Sequence, residues 1–524
     1  MTASYDIAIV GCGPVGAYAA NLCGRHGLRT VVLEREADAY PLPRAVHLDH
    51  EMMRLFADVG LLDVMTPLMF ATDGHVHIGA DGGVIRFLSS PGTSRPFGFS
   101  NDYFFYQPEL EAALRDGIGR FPAVTLRSGE TVVAVTPADR DVTLSLSGGE
   151  TISARYVIGC DGARSTVRKS LDIPLDDLGF EEPWLVVDAE VDGPICFPGF
   201  KGVPEGADLQ RLSVMLCDPG RPTTVVPGRG NHRRWEFMLL PGEVDEAMMA
   251  PEIVDGLVAP WVEGVAHRIV RAATYRFHGL VAERWRQQRA FLAGDAAHQT
   301  PPFFGQGMCH GLRDVANLVW KLALVVQGKA EDDVLDTYQL ERDPHVRGVI
   351  GAAVDAGRYI CELDPDLAAA RDANLRTQSG PRTAADLIPA IAAGIVEGDA
   401  GERFIQPRVT TALGISAPLD VATGGGWVML TRGVLPAVGT NARHVWDMIG
   451  GRTFAVGPDI SDDADILDEE GHLEAWFERH GAIAAIVRPD FYTYAAPADM
   501  PALITAIERL STHLCLRTAI GAEG

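Results

Sequence analysis

The chain has 524 residues, which predicts two or three domains because a single hydrophobic core rarely grows so large. Hydrophobic residues make up 47% and charged residues 22%, as in an ordinary globular protein and unlike a disordered one. The formal net charge of -25 argues against a nucleic-acid partner and against docking on an anionic membrane, since both need a basic surface.

Eight cysteines are scattered along the chain. No two have Cys-x-x-Cys spacing, and no Cys/His cluster has the spacing of zinc ligands, so we expect buried reduced thiols and no metal. The first residues lack a basic segment ahead of their apolar run, unlike a secretory signal peptide. Lys321 interrupts the most apolar helical stretch, which is too short to span a bilayer. We therefore expect a cytoplasmic protein.

The chain opens with a strand, a glycine-rich turn, a helix and a second strand. Residues 5–10 form a continuous apolar run, as in a strand that is buried on both faces. Residues 14–26 have helical periodicity, and residues 30–33 form a second apolar run that ends at Glu34. This order is typical of a dinucleotide-binding βαβ unit.

The glycine turn reads Gly11-x-Gly13-x-x-Gly16. Gly11 permits a tight turn, Gly13 lets the backbone approach a pyrophosphate, and Gly16 lets the helix pack on the strand. Glu34 is placed to accept a hydrogen bond from a ribose hydroxyl. An acid at this position suits an adenosine ribose without a 2′-phosphate, so FAD and NAD both remain compatible with this segment.

The patterning changes along the rest of the chain. Residues 184–240 alternate apolar and polar positions, as in an antiparallel sheet. Pro344 predicts a kink or break in a helical region. The other predicted segments are a helix from about residue 108, a strand meander over 131–162, a long amphipathic helix over 312–327, a linker or loose helical region over 363–400, and a small α/β domain from about residue 404.

Two further motifs separate FAD from NAD. In VIGCDGARSTVRK a strand ends near Asp161, and in FLAGDAAHQTPPFFGQGMCHG a strand ends near Asp295. An Asp beside a glycine at a strand end can hydrogen-bond a polyol, while Gly305 and Gly307 let backbone N–H groups approach a flat, electron-rich ring. The helix that begins near Met308 would direct its positive end at that ring.

The three motifs, in this order and at these separations, resemble the class A flavoprotein monooxygenases of the p-hydroxybenzoate hydroxylase type, over residues 1 to about 400. The stretches GFEEPWLVVD and GQGMCHGLRDVANLVWKLALVVQGKA are similar to those of 3-(3-hydroxyphenyl)propionate hydroxylases. The resemblance implies an α/β fold with a Rossmann-like FAD-binding domain, an inserted antiparallel-sheet substrate domain and a C-terminal thioredoxin-like α/β domain without Cys-x-x-Cys. The implied ranges are 1–75, 100–183 and 275–400 for the first domain, 76–99 and 184–274 for the second, and 404–520 for the third.

The resemblance also implies a cofactor site. It predicts FAD that is tightly but non-covalently bound, with NADH or NADPH as a transient co-substrate. Arg44 and Gln107 match positions that touch the flavin or its ribityl chain, and Asp295 matches the acid that holds that chain. The full implied set is Gly11, Gly13, Gly16, Glu34, Arg35, Arg44, Gln107, Asp161, Asp295, Gly305, Gly307 and Met308.

The reaction implied by the resemblance is hydroxylation of a phenol like 3-(3-hydroxyphenyl)propionate by O₂, through a flavin C4a-hydroperoxide. Such a transfer favours the phenolate and needs a dry site. His47 is a candidate to hydrogen-bond or deprotonate the phenol, with a locally bonded histidine as an equal alternative. Pro301 and Pro302 would stiffen the loop over the flavin. Candidate substrate contacts are Pro302 and, on a strand whose ligand-facing side stays open, Trp235, Phe237 and Met238.

Other functions stay open at this point. The chain could hydroxylate another phenol or a polyketide-type aromatic, or it could bind flavin and a ligand without turnover. A nicotinamide dehydrogenase would use only the first motif and would leave the other two unexplained. The expected partners are a small phenolic substrate and O₂, and we expect a homo-oligomer such as a dimer.

Overall fold

The computed structural model describes residues 5–89, 95, 97–378, 388–433, 437–457 and 464–517. The predicted domain ranges also take in residues outside this set, namely 1–4, 90–94, 96, 379–387, 434–436, 458–463 and 518–520.

The elements alternate between strands and helices along the chain. The strands are β1 (Tyr5–Val10), β2 (Thr30–Glu34), β3 (His47–Asp49), β4 (Met69–Ala71), β5 (Gly74–Ile78), β6 (Val84–Ser89), β7 (Asp102–Phe105), β8 (Val124–Ser128), β9 (Val132–Pro137), β10 (Val142–Leu146), β11 (Thr151–Gly159), β12 (Leu175–Val191), β13 (Leu212–Leu216), β14 (Thr223–Pro227), β15 (His232–Met238), β16 (His267–Ala282), β17 (Arg286–Gln287), β18 (Ala290–Leu292), β19 (His298–Gln299), β20 (Arg408–Thr411), β21 (Ser416–Pro418), β22 (Val428–Arg432), β23 (Arg452–Gly457), β24 (Ile466–Asp468), β25 (Ala484–Val487) and β26 (Thr493–Ala495). The helices are α1 (Pro14–Arg25), α2 (His50–Asp58), α3 (Leu62–Met65), α4 (Gln107–Ile118), α5 (Thr166–Ser170), α6 (Asp245–Met248), α7 (Pro251–Val258), α8 (Gly307–Val326), α9 (Thr337–Ile360), α10 (Pro365–Thr377), α11 (Leu419–Thr423), α12 (Thr440–Met448), α13 (His472–His480) and α14 (Met500–His513).

The first sheet contains the βαβ unit that the N-terminal pattern predicts. Its path is β17-β18-β11-β1-β2-β8, and β1 runs parallel to both β2 and β11. The apolar run of β1 is almost wholly buried, as expected for a central parallel strand, because α1 packs on the sheet with α4 and α8 packed against α1. The predicted strand–helix–strand order, ending at Glu34, is confirmed.

The second sheet follows the path β19-β16-β12-β15-β14-β13-β5-β6. Its pairs are antiparallel, as the alternating sequence predicts, except that β13 and β5 pair in parallel. The long strand β12 begins before the 184–274 range expected for the substrate domain, and the long strand β16 ends after it. The sheet domain is therefore continuous with the first one through these two strands, and the precise domain division stays a prediction.

Two expectations about the helical region need correction. α9 continues through Pro344, so the expected break does not occur, while a kink at this proline stays a prediction. The region expected to be a linker or loose helix contains the regular helix α10, which is capped at its start by the Asp364 side chain.

The C-terminal sheet follows the path β21-β20-β24-β23-β22-β25-β26. β22 runs parallel to β23 and antiparallel to β25, with α12, α13 and α14 as the main helices. This is the thioredoxin-like order of strands and helices. The domain shares the main hydrophobic core with the rest of the protein, since the ring of Trp427 contacts that of Trp320 with centroids 5.7 Å apart. Among the helices described, none combines the length and apolar character that a bilayer crossing requires.

Candidate active site

A cavity of about 670 Å³ lies between the first and second sheets. Its walls come from the three sequence motifs and from the face of the second sheet. The residues predicted for the site that line it are Gly11, Gly13, Glu34, Arg35, Arg44, His47, Gln107, Asp161, Asp295, Pro302, Gly305, Gly307 and Met308. The fold thus brings together segments that lie hundreds of residues apart in the chain.

The glycine turn forms one end of the cavity. Gly11 has a φ of 95°, and a Cβ there would lie 2.5 Å from the carbonyl oxygen of Cys160. Gly16 does not line the cavity. A Cβ on it would lie 2.0 Å from the Gly11 carbonyl oxygen, so its role is to let α1 pack on the turn. A Cβ on Gly13 would meet no described atom within 4 Å, and α1 begins there without a side-chain cap. Free N–H groups and open space together make an anion site.

Glu34 stabilises the glycine turn through hydrogen bonds to its carboxylate. Its Oε2 accepts a hydrogen bond from Cys12 N (2.6 Å), and its Oε1 accepts one from Glu36 N (3.0 Å). Arg115, which belongs to none of the three sequence motifs, also lines the cavity and donates from Nε to the Cys12 carbonyl oxygen (3.0 Å). Arg35 is exposed and pairs with Glu36 (3.1 Å).

Asp161 is engaged by its own chain. Its carboxylate accepts hydrogen bonds from Ser165 Oγ (2.5 Å), Thr166 N (2.6 Å) and Val167 N (3.1 Å), so it fixes the start of α5. Burial raises the pKa of Asp161, and these hydrogen bonds oppose the rise. The residue shapes the cavity wall as well as lining it.

Asp295 presents a carboxylate to the cavity. It lies in a tight turn after β18, between two buried residues, and its own side chain is exposed to the cavity. Within the described part of the chain it accepts no hydrogen bond. Burial raises the pKa of Asp295, while His298 and Arg44 oppose the rise. A carboxylate in this position is ready for a hydroxyl donor from a ligand.

The loop after Asp295 leads into α8, a helix that is buried along almost its whole length. Gly305 has a φ of 62°, and α8 begins at Gly307 without a side-chain cap. A Cβ on Gly307 would meet no described atom within 4 Å, so backbone N–H groups can approach a ligand here. Pro302 lines the cavity, whereas Pro301 is buried behind the loop and does not.

Gln107 and Arg44 form the opposite wall. Gln107 Oε1 accepts hydrogen bonds from Arg44 N (2.9 Å) and Ala45 N (2.7 Å). The Arg44 guanidinium lies 4.2 Å from the centroid of the Tyr40 ring. Arg234 donates to the Arg44 carbonyl oxygen (2.6 Å), which ties this segment to the second sheet.

His47 belongs to a buried cluster beside the loop. Its Nε2 donates to Asp102 Oδ1 (2.8 Å), and its Nδ1 lies 3.4 Å from the Gly305 carbonyl oxygen. Burial opposes protonation of His47, but the hydrogen bond and charge of Asp102 outweigh burial and raise its pKa. His75 Nε2 lies 3.7 Å from the same Asp102 oxygen.

Asp102 is the anchor of this cluster. Burial would raise its pKa, but the hydrogen bond from His47 and the nearby imidazole of His75 hold the pKa far below its usual range. The three side chains have the residue types and proximity of a metal site, with ligand atoms within 4.8 Å of one another. The direct bond between His47 and Asp102 already accounts for the geometry, so we interpret the cluster as a hydrogen-bonded dyad with a neighbouring histidine.

The face of β15 decides which predicted substrate residues reach the cavity. Arg234 and Glu236 line it. Trp235 and Phe237 point to the other face and pack in a separate core beneath α7, and Met238 is buried in the main core without reaching the cavity. The alternation was predictable, but the side that faces the ligand depends on where the helices stack. The second sheet lines the cavity mainly through Val186, Ser213, Met215, Thr224, Val226, Tyr275 and Phe277.

Known families match nearly the whole chain. The model described as FAD binding domain matches residues 4–353, and the model described as HcaD C-terminal domain matches residues 401–510. The chain belongs to the FAD-binding-domain family of flavoproteins.

Two relatives cover this flavoprotein almost end to end. It is 36% identical over 504 residues to a probable NADH-specific resorcinol 4-hydroxylase of Rhodococcus jostii, covering 94% of this chain and 92% of the relative. It is 34% identical over 535 residues to 3-(3-hydroxy-phenyl)propionate/3-hydroxycinnamic acid hydroxylase 2 of Burkholderia vietnamiensis, covering 94% and 93%.

Solved structures agree on the fold of this flavoprotein. The flavin-dependent monooxygenase PieE in complex with FAD and substrate superposes with a TM-score of 0.78 at 21% identity, covering 97% of this chain and 99% of that one. Aklavinone-11 hydroxylase with FAD and aklavinone superposes with a TM-score of 0.76 at 24% identity, with the same coverage. The family model and the two relatives confirm the predicted family, FAD cofactor and monooxygenase class and reject a nicotinamide dehydrogenase, and the solved structures confirm the fold class.

The residues of this flavoprotein fit FAD. Open space at Gly13 and Gly307 leaves room for a pyrophosphate and a flat ring, at the uncapped starts of α1 and α8. The unpartnered carboxylate of Asp295 lies between them in the same cavity. The start of α1 at Gly13 would hold the phosphates, the start of α8 at Gly307 would hold the ring, and Asp295 would hold the ribityl hydroxyls.

Proposed function

We propose that this flavoprotein hydroxylates a small phenol with NADH and O₂, in the space between the loop 302–308 and the face of the second sheet. The observation that carries the proposal is the His47–Asp102 dyad, whose imidazole touches the loop at Gly305. Both relatives described above are named as hydroxylases of phenolic rings, and one of them is named as NADH-specific. When bound, FAD supplies hydride acceptance and oxygen activation.

His47 is the proposed proton acceptor for the phenol. Its Nε2 is committed to Asp102, so in the neutral ring Nδ1 carries the free electron pair. A proton accepted at Nδ1 stays on the imidazole, and the resulting Nδ1–H donates a hydrogen bond to the Gly305 carbonyl oxygen, 3.4 Å away, while the Asp102 charge stabilises the imidazolium. Removing the phenol proton makes the ring more electron-rich and hence more reactive toward an electrophilic oxygen.

The apolar wall serves the same chemistry by excluding water. Phe104, Phe303 and Phe304 line the cavity together with Val226 on the sheet, which packs in one hydrophobic cluster with Phe104. Such a lining suits an aromatic ring and shields reduced oxygen species from stray protons. Asp102 and His75 were missed from the sequence because neither belongs to a local motif, and only the pairing of β3 with β7 brings Asp102 beside His47.

Substrate-stimulated NADH oxidation tests the proposal. Purified protein with bound FAD should oxidise NADH slowly alone and at least tenfold faster with a phenol that it hydroxylates. Resorcinol, 3-(3-hydroxyphenyl)propionate and unsubstituted phenol form the panel, with hydroxylated product and H₂O₂ both quantified and NADPH as the comparison donor. Absence of hydroxylated product with every phenol would overturn the proposal. A cytoplasmic location and a homo-oligomeric state stay predictions.

A further inference from the structure

We infer that Glu236 is a specificity-determining residue that accepts a hydrogen bond from a second hydroxyl of the substrate, so that the enzyme takes an uncharged dihydroxybenzene and rejects a phenol bearing a carboxylate. The inference rests on the proposed phenol hydroxylation and names its substrate class. Among the phenols that the sequence leaves open, it favours a dihydroxybenzene over a hydroxyphenylpropionate.

Glu236 lies in the middle of the sheet face that forms the cavity floor. Its Cα partner on β12 is Val186 and its partner on β14 is Thr224, and both of these neighbours also line the cavity. Cross-strand partners point to the same side of a sheet, so the Glu236 side chain faces the cavity between the apolar Val186 and the hydroxyl-bearing Thr224. Only 13% of this side chain is exposed.

The Glu236 carboxylate has no hydrogen-bond donor within the described part of the protein. Its nearest cation is Arg234, with Nη1 3.9 Å from Glu236 Oε1, beyond hydrogen-bond distance. Arg234 is already committed elsewhere, since it donates to Asp188 through Nε (2.8 Å) and Nη2 (3.0 Å). A buried acceptor without a donor is unfavourable, so a ligand hydroxyl that donates to it would be strongly preferred.

Among the residues that the structure describes, the second-sheet wall of the cavity has no unpaired cation that could bind a substrate carboxylate. The two arginines that line it are Arg234 and Arg271. Arg271 donates to the Pro43 carbonyl oxygen, lies 3.7 Å from Asp188, and stacks on the Tyr275 ring. A propionate tail that entered here would meet Glu236 without a compensating charge.

Electrostatics then separates the two substrate classes. Burial raises the pKa of Glu236 to about 7, with Arg234 lowering it and Asp188 raising it further. A hydroxyl donor satisfies this carboxyl group without adding charge, whether it is ionised or protonated. A second carboxylate would bring a like charge into a site of low dielectric constant, which disfavours binding.

Ligand binding in the absence of NADH tests the role of Glu236 directly. The flavin absorbance change of FAD-loaded protein gives the Kd of resorcinol and of 3-(3-hydroxyphenyl)propionate for the wild type, Glu236→Gln and Glu236→Ala. The matched control is Glu190→Gln, which makes the same exchange on the neighbouring strand β12 at an exposed side chain. We expect the wild type to prefer resorcinol by about tenfold or more, both Glu236 variants to lose most of that preference, and the control to keep it.

Two results would overturn the inference. One is a preference ratio that stays unchanged in both Glu236 variants at full FAD occupancy, and the other is wild-type protein that binds the acid as tightly as resorcinol. Because binding is measured without turnover, the outcome is independent of product formation. Wild-type protein that binds resorcinol selectively through Glu236 but never hydroxylates it would instead overturn the proposed function.

Discussion

At the scale of single residues, Asp295 makes the sharpest prediction about the cofactor. Its carboxylate faces the cavity without a protein donor, so its polar requirements can be met by ligand hydroxyls. Asp295→Ala should therefore purify with less than half of the wild-type FAD content, measured as the ratio of flavin to protein absorbance. The control is Asp139→Ala, at an exposed turn between β9 and β10. Full flavin occupancy in Asp295→Ala would contradict the role given to Asp295.

Asp102 makes a prediction about pH. The proton acceptor His47 must be neutral, so activity should rise with pH through the pKa of His47, which Asp102 raises. Asp102→Asn removes the negative charge and lowers that pKa, so the rising limb of kcat/KM against pH should move to lower pH by roughly one unit. The maximal rate should fall as well, because the amide no longer fixes the imidazole tautomer. If the rising limb of kcat/KM stays at the same pH in Asp102→Asn, the pKa of His47 does not determine that limb.

At the scale of elements, the loop before α8 depends on one glycine. Gly305 has a φ of 62°, and a Cβ on it would lie 2.4 Å from His47 Nδ1. Gly305→Ala should therefore displace His47 and lower the yield of product per NADH several-fold, with H₂O₂ rising in proportion. Gly328→Ala is a matched control, because its φ is also positive (74°) but no described atom lies within 4 Å of the added Cβ. It should cost only about 1 kcal/mol of stability and leave coupling intact. Equal coupling in both variants would contradict this account.

Elements with a local signature were predictable, and elements defined by their neighbours were not. One short stretch of sequence predicts the glycine turn, α1 and Glu34, because the close approach of a phosphate needs those residues at that spacing. β15 was read correctly as an alternating strand, yet its ligand-facing side is Arg234 and Glu236, since α7 and its apolar neighbours cover Trp235 and Phe237. Local pattern fixes the period of a strand, while tertiary stacking fixes which face is buried.

At the scale of the whole molecule, a buried charge network joins the C-terminal domain to the rest. Glu341 in α9 accepts hydrogen bonds from Lys321 Nζ (2.9 Å) in α8, Arg488 Nη2 (2.6 Å) after β25, and Ile395 N (2.8 Å). Burial alone would raise the pKa of Glu341, but Arg488 and Lys321 outweigh burial and lower it to about 2. The stabilisation is therefore present above the ordinary glutamate pKa and is lost as pH falls toward 2.

Removing that carboxylate should destabilise the whole protein and not one domain. Glu341→Gln leaves buried cations undercompensated, so it should lower the free energy of unfolding by about 3 kcal/mol or more. Because the core is shared, thermal unfolding should remain a single transition at a lower temperature. Glu181→Gln, at an exposed pair with Arg276, is the control and should change little. Independent melting of the C-terminal domain would contradict this view of the shared core.

The most direct test of the central claim is a crystal structure of the protein with FAD and resorcinol bound together. We expect the flavin ring against the loop 302–308, one substrate hydroxyl within hydrogen-bond distance of His47, and the other within hydrogen-bond distance of Glu236. A flavin ring bound away from this loop, or a ring whose hydroxyls contact neither His47 nor Glu236, would contradict it.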